Sequence, residues 1–205
     1  MDTEQGGLRE RRGQYERITA RLAGLSVRLK IYPDTWTAIS VGFGVVSGIA
    51  FAQGAMVWGV VWMALMGLTD MFDGATARAL DMASRYGAVL DPVADRYGEF
   101  FVFTGIAISG VVDPAYVLFA LFGMVMASYV RARAESKGGV KDCNVGMAGR
   151  LEKLLILTAG VVVETLGVGT HALSWAMLLI GLMSHITAMQ RLRYTYKMVQ
   201  NSSDK

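Results

Sequence analysis

Apolar runs of near-bilayer length alternate along the chain with short polar connections. Six stand out, at roughly 36–52, 55–68, 93–112, 115–129, 151–166 and 172–189. A helix that crosses a bilayer needs about 20 predominantly apolar residues, and several of these runs are shorter or broken by charge. The second flows straight into a charged stretch, DMFDGATARALDMASRYGAVLDPVAD, from Asp70 to Asp95. The pattern predicts an all-α integral membrane protein with six transmembrane helices.

A different periodicity precedes the first run. Leu8, Tyr15, Ile18, Leu22, Leu25 and Leu29 recur at helical intervals, with Arg11, Arg12, Arg17, Arg21 and Arg28 between them. This predicts an amphipathic interfacial helix lying among lipid headgroups, although a helix packing on a soluble partner has the same pattern. Pro33 ends it. The expected parts are an N-terminal amphipathic juxtamembrane segment (1–33), a six-helix domain (34–197) and a polar tail (198–205).

Composition agrees with a bilayer environment. The chain is 53% hydrophobic and 18% charged, where soluble domains carry about 25% charged residues. The N-terminus lacks the apolar core of a signal peptide, so a helix of the chain itself is expected to direct insertion. The single cysteine, Cys143, cannot form an internal disulfide. The connections at 53–54, 113–116 and 167–174 hold no Lys or Arg, and nearly all 20 basic residues lie on the other side. The positive-inside rule then predicts a multi-pass protein of the cell membrane with both termini cytoplasmic. No nucleic-acid partner is expected. Gly42, Gly44, Gly48, Gly105 and Gly110 allow helices to approach closely, within one bundle or across a dimer face.

The charged stretch carries the chemistry. Asp70 and Asp73 are three residues apart, Asp91 and Asp95 four, so each pair shares a helix face. A turn between them brings four carboxylates together. Such a group must take up protons or bind cations. Oxygen-only ligands favour Mg²⁺, Mn²⁺ or Ca²⁺, and four carboxylates suit two ions about 3.5–4 Å apart, as in phosphoryl transfer. Arg78 can add a bidentate phosphate contact. The residues alone point to metal-dependent work on a phosphorylated ligand at the cytoplasmic membrane surface. A solvated acidic loop and a proton- or cation-coupled transporter remain open alternatives.

The stretch reads D-x-x-D-G-x-x-A-R-x(8)-G-x(3)-D-x(3)-D without a mismatch. This resembles the signature of the CDP-alcohol phosphotransferases, integral membrane enzymes of phospholipid synthesis, and the six-span layout is similar too. The resemblance implies that Asp70, Asp73, Asp91 and Asp95 hold two divalent cations, usually Mg²⁺ with Mn²⁺ as an option. It makes Asp95 the general base. It places Asp70, Gly74, Arg78 and Ser84 against the CDP-lipid, together with Tyr32, Pro33, Asp34, Thr35 and Thr37 of the segment YPDTWT. Family members are commonly homodimers.

Two further segments resemble the phosphatidylinositol-phosphate and archaetidylinositol-phosphate synthase branch. They are SYVRARAES at 128–136 and GRLEKLL at 149–155. Ser128, Arg131, Arg133, Arg150, Lys153 and Arg191 would then hold the phosphate of an inositol phosphate acceptor. Arg131 and Arg133 fall on different helix faces, and Lys153 stands where that branch has Arg, which weakens a fork-like contact. The reaction implied moves a lipid phosphate from CDP-diacylglycerol or CDP-archaeol to inositol phosphate and releases CMP. Glycerol phosphate is the rival acceptor. Glu99 is expected to support the metal site or pair with Arg96, whereas Glu164 and His185 read as packing or interface polarity.

Overall fold

A computed structural model describes residues 24, 32–79, 84–167 and 171–203. Among them are six helices: α1 Pro33–Ala52, α2 Met56–Ala79, α3 Gly87–Ile108, α4 Pro114–Lys137, α5 Arg150–Thr165 and α6 Ala172–Ser203. The interfacial helix expected before Pro33 lies, apart from Gly24, outside the described residues. The protein is an all-α membrane protein. Helices α1, α4 and α6 are long and apolar enough to cross a bilayer, and Met56–Phe72 of α2 forms a shorter apolar helix. Exposed Trp58, Leu118, Phe122, Trp175 and Leu182 suit contact with lipid rather than water.

Local chemistry sets the helix ends. Pro33 opens α1, where its missing N–H costs nothing. Gly54 closes α1 with a positive φ of 75°. Its N–H donates to the Phe51 carbonyl and that of Ala55 to the Ala50 carbonyl, both at 2.9 Å, which satisfies two orphan carbonyls of the helix. Asp113 caps α4 by accepting the Ala115 N–H at 2.8 Å, with Pro114 at the first helical position. Two helices outrun their apolar sequence. Gly74 does not stop α2, which continues to Ala79, and α6 runs past its apolar part to Ser203.

The chain divides into two compact units: Met1–Val46 with Val61–Gly98, and Ser47–Val60 with Glu99–Lys205. In the first, Ser40 Oγ donates to the Met66 carbonyl at 3.0 Å, and Trp36 stacks on Phe72 with centroids 4.9 Å apart. Gly44 and Gly98 meet so closely that a Cβ on Gly44 would lie 2.9 Å from the Gly98 Cα. In the second, Gly48 packs against Gly105 and the Phe101 backbone, and Ser47 Oγ donates to the Gly59 carbonyl at 2.8 Å. Three of the five glycines singled out by the sequence thus lie at helix crossings, and Gly110 sits exposed in a turn at φ 72°. Gly42 has open space around it. The second unit is built mainly by α4 against α6 and α5 against α6.

Candidate metal centre and anion-binding residues

The first unit gathers the acids. Asp70 comes from α2, Asp91 and Asp95 from α3, and one carboxylate oxygen of each lies within 4.8 Å of the other two. The four-residue spacing puts Asp91 and Asp95 on one face of α3. Between them, Pro92 has no N–H to give the preceding turn. Asp73, Gly74 and Arg78 belong to α2, but their side chains fall outside the described residues.

Three ionised carboxylates this close repel by about 3 kcal/mol per pair at an effective dielectric near 20. A cation removes that cost. Opposite ligands in a Mg²⁺ shell are about 4.2 Å apart, twice the bond length of about 2.1 Å. The 4.8 Å limit on the oxygen separations therefore fits one hard divalent ion.

The residues expected at the CDP end follow the start of α1. Tyr32, Asp34 and Thr35 are exposed, whereas Thr37 is buried and its hydroxyl donates to the Pro33 carbonyl at 3.3 Å. Ser84 has a helix-capping role. Its hydroxyl accepts the Gly87 N–H at 2.8 Å, and its carbonyl accepts the Ala88 N–H. It thereby holds the first turn of the helix that bears Asp91 and Asp95.

The second unit holds the residues expected at the acceptor's phosphate. Arg131 Nε donates to Glu135 Oε1 at 2.9 Å, and its Nη2 lies 3.6 Å from Asp142 Oδ1. Arg150 Nε lies 3.8 Å from Glu99 Oε1. Arg191 bridges two backbone segments, donating from Nε to the Val145 carbonyl at 2.8 Å and from Nη1 to the Ala127 carbonyl at 2.6 Å. Lys153 is buried and Ser128 half-buried, whereas Arg133 is exposed. The half-buried Arg131 and exposed Arg133 do occupy different faces of α4.

Several of these contacts carry no signal in the sequence. Asp142 and the backbone around Val145 come to the arginines only through folding of the α4–α5 connection, whereas Glu135 lies one helical turn from Arg131. Glu99 also lies 3.8 Å from Arg150, a contact that its spacing from Arg96 does not suggest. Glu164 and His185, expected as packing or interface polarity, have contacts within the second unit. Glu164 Oε2 accepts the Leu173 N–H at 3.0 Å at the start of α6, and His185 stacks on Phe119 with centroids 4.6 Å apart.

A family model for CDP-alcohol phosphatidyltransferases matches residues 30–187. The chain belongs to that family. It is 34% identical over 192 residues to the phosphatidylinositol phosphate synthase of Mycobacteroides abscessus, covering 88% of this chain and 84% of that protein. It is 33% identical over 147 residues to the archaetidylinositol phosphate synthase of Methanothermobacter thermautotrophicus, covering 72% and 74%. Among solved structures it resembles the phosphatidylinositol phosphate synthase of Mycobacterium tuberculosis. The form with CDP-DAG bound gives a TM-score of 0.77 at 30% identity, over 88% of this chain and 94% of that one. The form with manganese and citrate gives 0.76 at 30%, over 87% and 88%. Asp70, Asp91 and Asp95 lie within the matched residues.

Proposed function

We propose that this enzyme transfers a lipid phosphate from CDP-diacylglycerol or CDP-archaeol to inositol phosphate and releases CMP. The observation that carries the proposal is the convergence of Asp70, Asp91 and Asp95 from a complete family signature. The similarity to inositol-phosphate-using enzymes in both bacteria and archaea supports the acceptor.

Asp70, Asp73, Asp91 and Asp95 would hold two divalent cations; Mg²⁺ is the expected ion and Mn²⁺ a substitute. When bound, the ions neutralise pyrophosphate charge and polarise the phosphorus attached to the lipid. Arg78, Gly74 and Ser84 meet the CDP moiety, with Tyr32, Pro33, Asp34, Thr35 and Thr37 at its cytidine end. The acceptor hydroxyl forms a bond to the lipid-bearing phosphorus, and the bond from that phosphorus to the CMP oxygen breaks. CMP leaves with the electron pair. Asp95 takes the hydroxyl proton on the carboxylate oxygen that faces the acceptor. Ser128, Arg131, Arg133, Arg150, Lys153 and Arg191 form the cationic side that holds the acceptor's phosphate without reacting.

The same reading places six spans in the cell membrane, with active site and termini cytoplasmic, in a homodimer embedded in membrane lipid. Residues 34–197 form its catalytic domain, flanked by the juxtamembrane segment (1–33) and the polar tail (198–205). Purified protein with Mg²⁺, CDP-diacylglycerol or CDP-archaeol, and inositol phosphate is expected to release CMP. No release with any acceptor sinks the enzyme reading in favour of a transporter. Release with glycerol phosphate alone overturns the acceptor.

A further inference from the structure

Arg131 and Glu135 are one turn apart on α4, joined by a hydrogen bond from Nε to Oε1 of 2.9 Å. The same carboxylate oxygen accepts the backbone N–H of Cys143 at 3.2 Å. Cys143 is itself buried in a cluster with Ala134 and Val140, against Tyr194. One oxygen therefore ties an arginine to the connection between α4 and α5.

An exposed pair at this spacing contributes only about 0.3–0.5 kcal/mol to stability. Its consequence is orientation. A guanidinium carries five N–H donors in one rigid plane. With Nε fixed by Glu135, the plane of Arg131 is set, and the edge formed by Nη1 and Nη2 is left for a two-point contact. Beside that edge, Asp142 Oδ1 lies 3.6 Å from Nη2. That distance is too long for a hydrogen bond but close enough for an ion pair. A phosphate monoester offers more negative charge, about −1.5 to −2 near neutral pH, and more oxygens, so it can displace a loosely held carboxylate.

We propose that Glu135 is a positioning residue for the acceptor: it fixes Arg131 through Nε so that the Nη1–Nη2 edge receives the acceptor's phosphate, with Asp142 as the counter-ion that the phosphate displaces. This rests on the reading that Arg131 holds a phosphorylated acceptor. The two carboxylates on one arginine then have opposite effects. Glu135 favours acceptor binding and Asp142 competes with it.

The test is CMP release by the purified enzyme, titrated separately with inositol phosphate and with CDP-diacylglycerol, for wild type, E135A, E135Q and D142N. E135A is expected to raise the acceptor KM about tenfold, the loss of one charge-assisted contact. The CDP-lipid KM and kcat should stay within about twofold. E135Q keeps an oxygen that can accept both N–H groups, so it should recover most of the loss. D142N should lower the acceptor KM. Hydrogen exchange at the Cys143 amide should quicken in E135A and not in E135Q. An unchanged acceptor KM in E135A, equal rises in both KM values, or a raised acceptor KM in D142N overturns the proposal. If E135A does not fold, E135Q and D142N decide it: an acceptor KM near wild type in E135Q and lowered in D142N supports it. If wild type uses glycerol phosphate alone, the inositol reading falls and the Glu135 comparison is read on that substrate. Turnover with neither phosphorylated acceptor removes both.

Discussion

The acidic cluster of the first unit and the basic residues of the second use charge in opposite ways. Asp70, Asp91 and Asp95 bring like charges to within 4.8 Å of one another. Arg131, Arg150 and Arg191 are spread over protein oxygens: carboxylates for the first two and backbone carbonyls for the third. Gathered acids cost free energy until a cation arrives, so a ligand accounts for them. Dispersed arginines also serve the scaffold, because each guanidinium has donors enough for a protein partner and a ligand. On the proposed function, one cluster serves the chemistry, and the other divides its donors between holding the fold and binding the acceptor.

That contrast is broken most severely at Asp95. On the proposed assignment, Asp95→Asn removes the base and lowers turnover about a thousandfold, the middle of the range for such groups. CDP-lipid affinity, read by equilibrium binding, should change less than about threefold. Retained turnover would remove Asp95 from the role of base. On the basic side, Arg191→Ala should act on two readouts together. It loses the bonds to Val145 and Ala127, each a hydrogen bond from a charged group, for about 3 kcal/mol in all. The thermal midpoint should fall and the acceptor KM should rise. A change in KM without a change in stability would mean that the carbonyl bonds are incidental. The smallest effect is expected at Ser84→Ala, which loses the hydroxyl that accepts the Gly87 N–H. This should cost about 1 kcal/mol and reduce turnover less than tenfold, since the cap only steadies the helix of Asp91 and Asp95. A drop as large as that of Asp95→Asn would place Ser84 in the chemistry itself.

How far each region could be read from the sequence follows from the same contrast. The acids sit at short fixed spacings on two neighbouring helices, so helical periodicity predicts which of them share a face, and a turn between the helices brings the faces together. The alternation of apolar and polar segments likewise gave the six described helices in order. Their ends were harder to place. α2 passes through Gly74 because one glycine inside a helix costs only about 1 kcal/mol, and α6 continues for several turns beyond its apolar part. The basic side was legible as a set of residues but not as a set of contacts. Arg191 reaches Val145 across 46 positions and Ala127 across 64. Glu135 takes its second partner, Cys143, from an irregular connection. No periodicity encodes such meetings, and a long side chain has many places to go. Glu99 illustrates the limit, since its contact with Arg150 spans 51 positions of sequence.

The central claim is that the acids make the new bond while the arginines select an acceptor that carries a phosphate. The most direct measurement compares kcat/KM for inositol phosphate with that for unphosphorylated inositol, using purified enzyme, CDP-diacylglycerol and Mg²⁺, in wild type and in Arg131→Ala. Two or more charge-assisted phosphate contacts predict a wild-type preference of about a hundredfold or more, falling by about tenfold in Arg131→Ala while kcat holds. Equal use of both acceptors by wild type, or a preference untouched by losing Arg131, would contradict it.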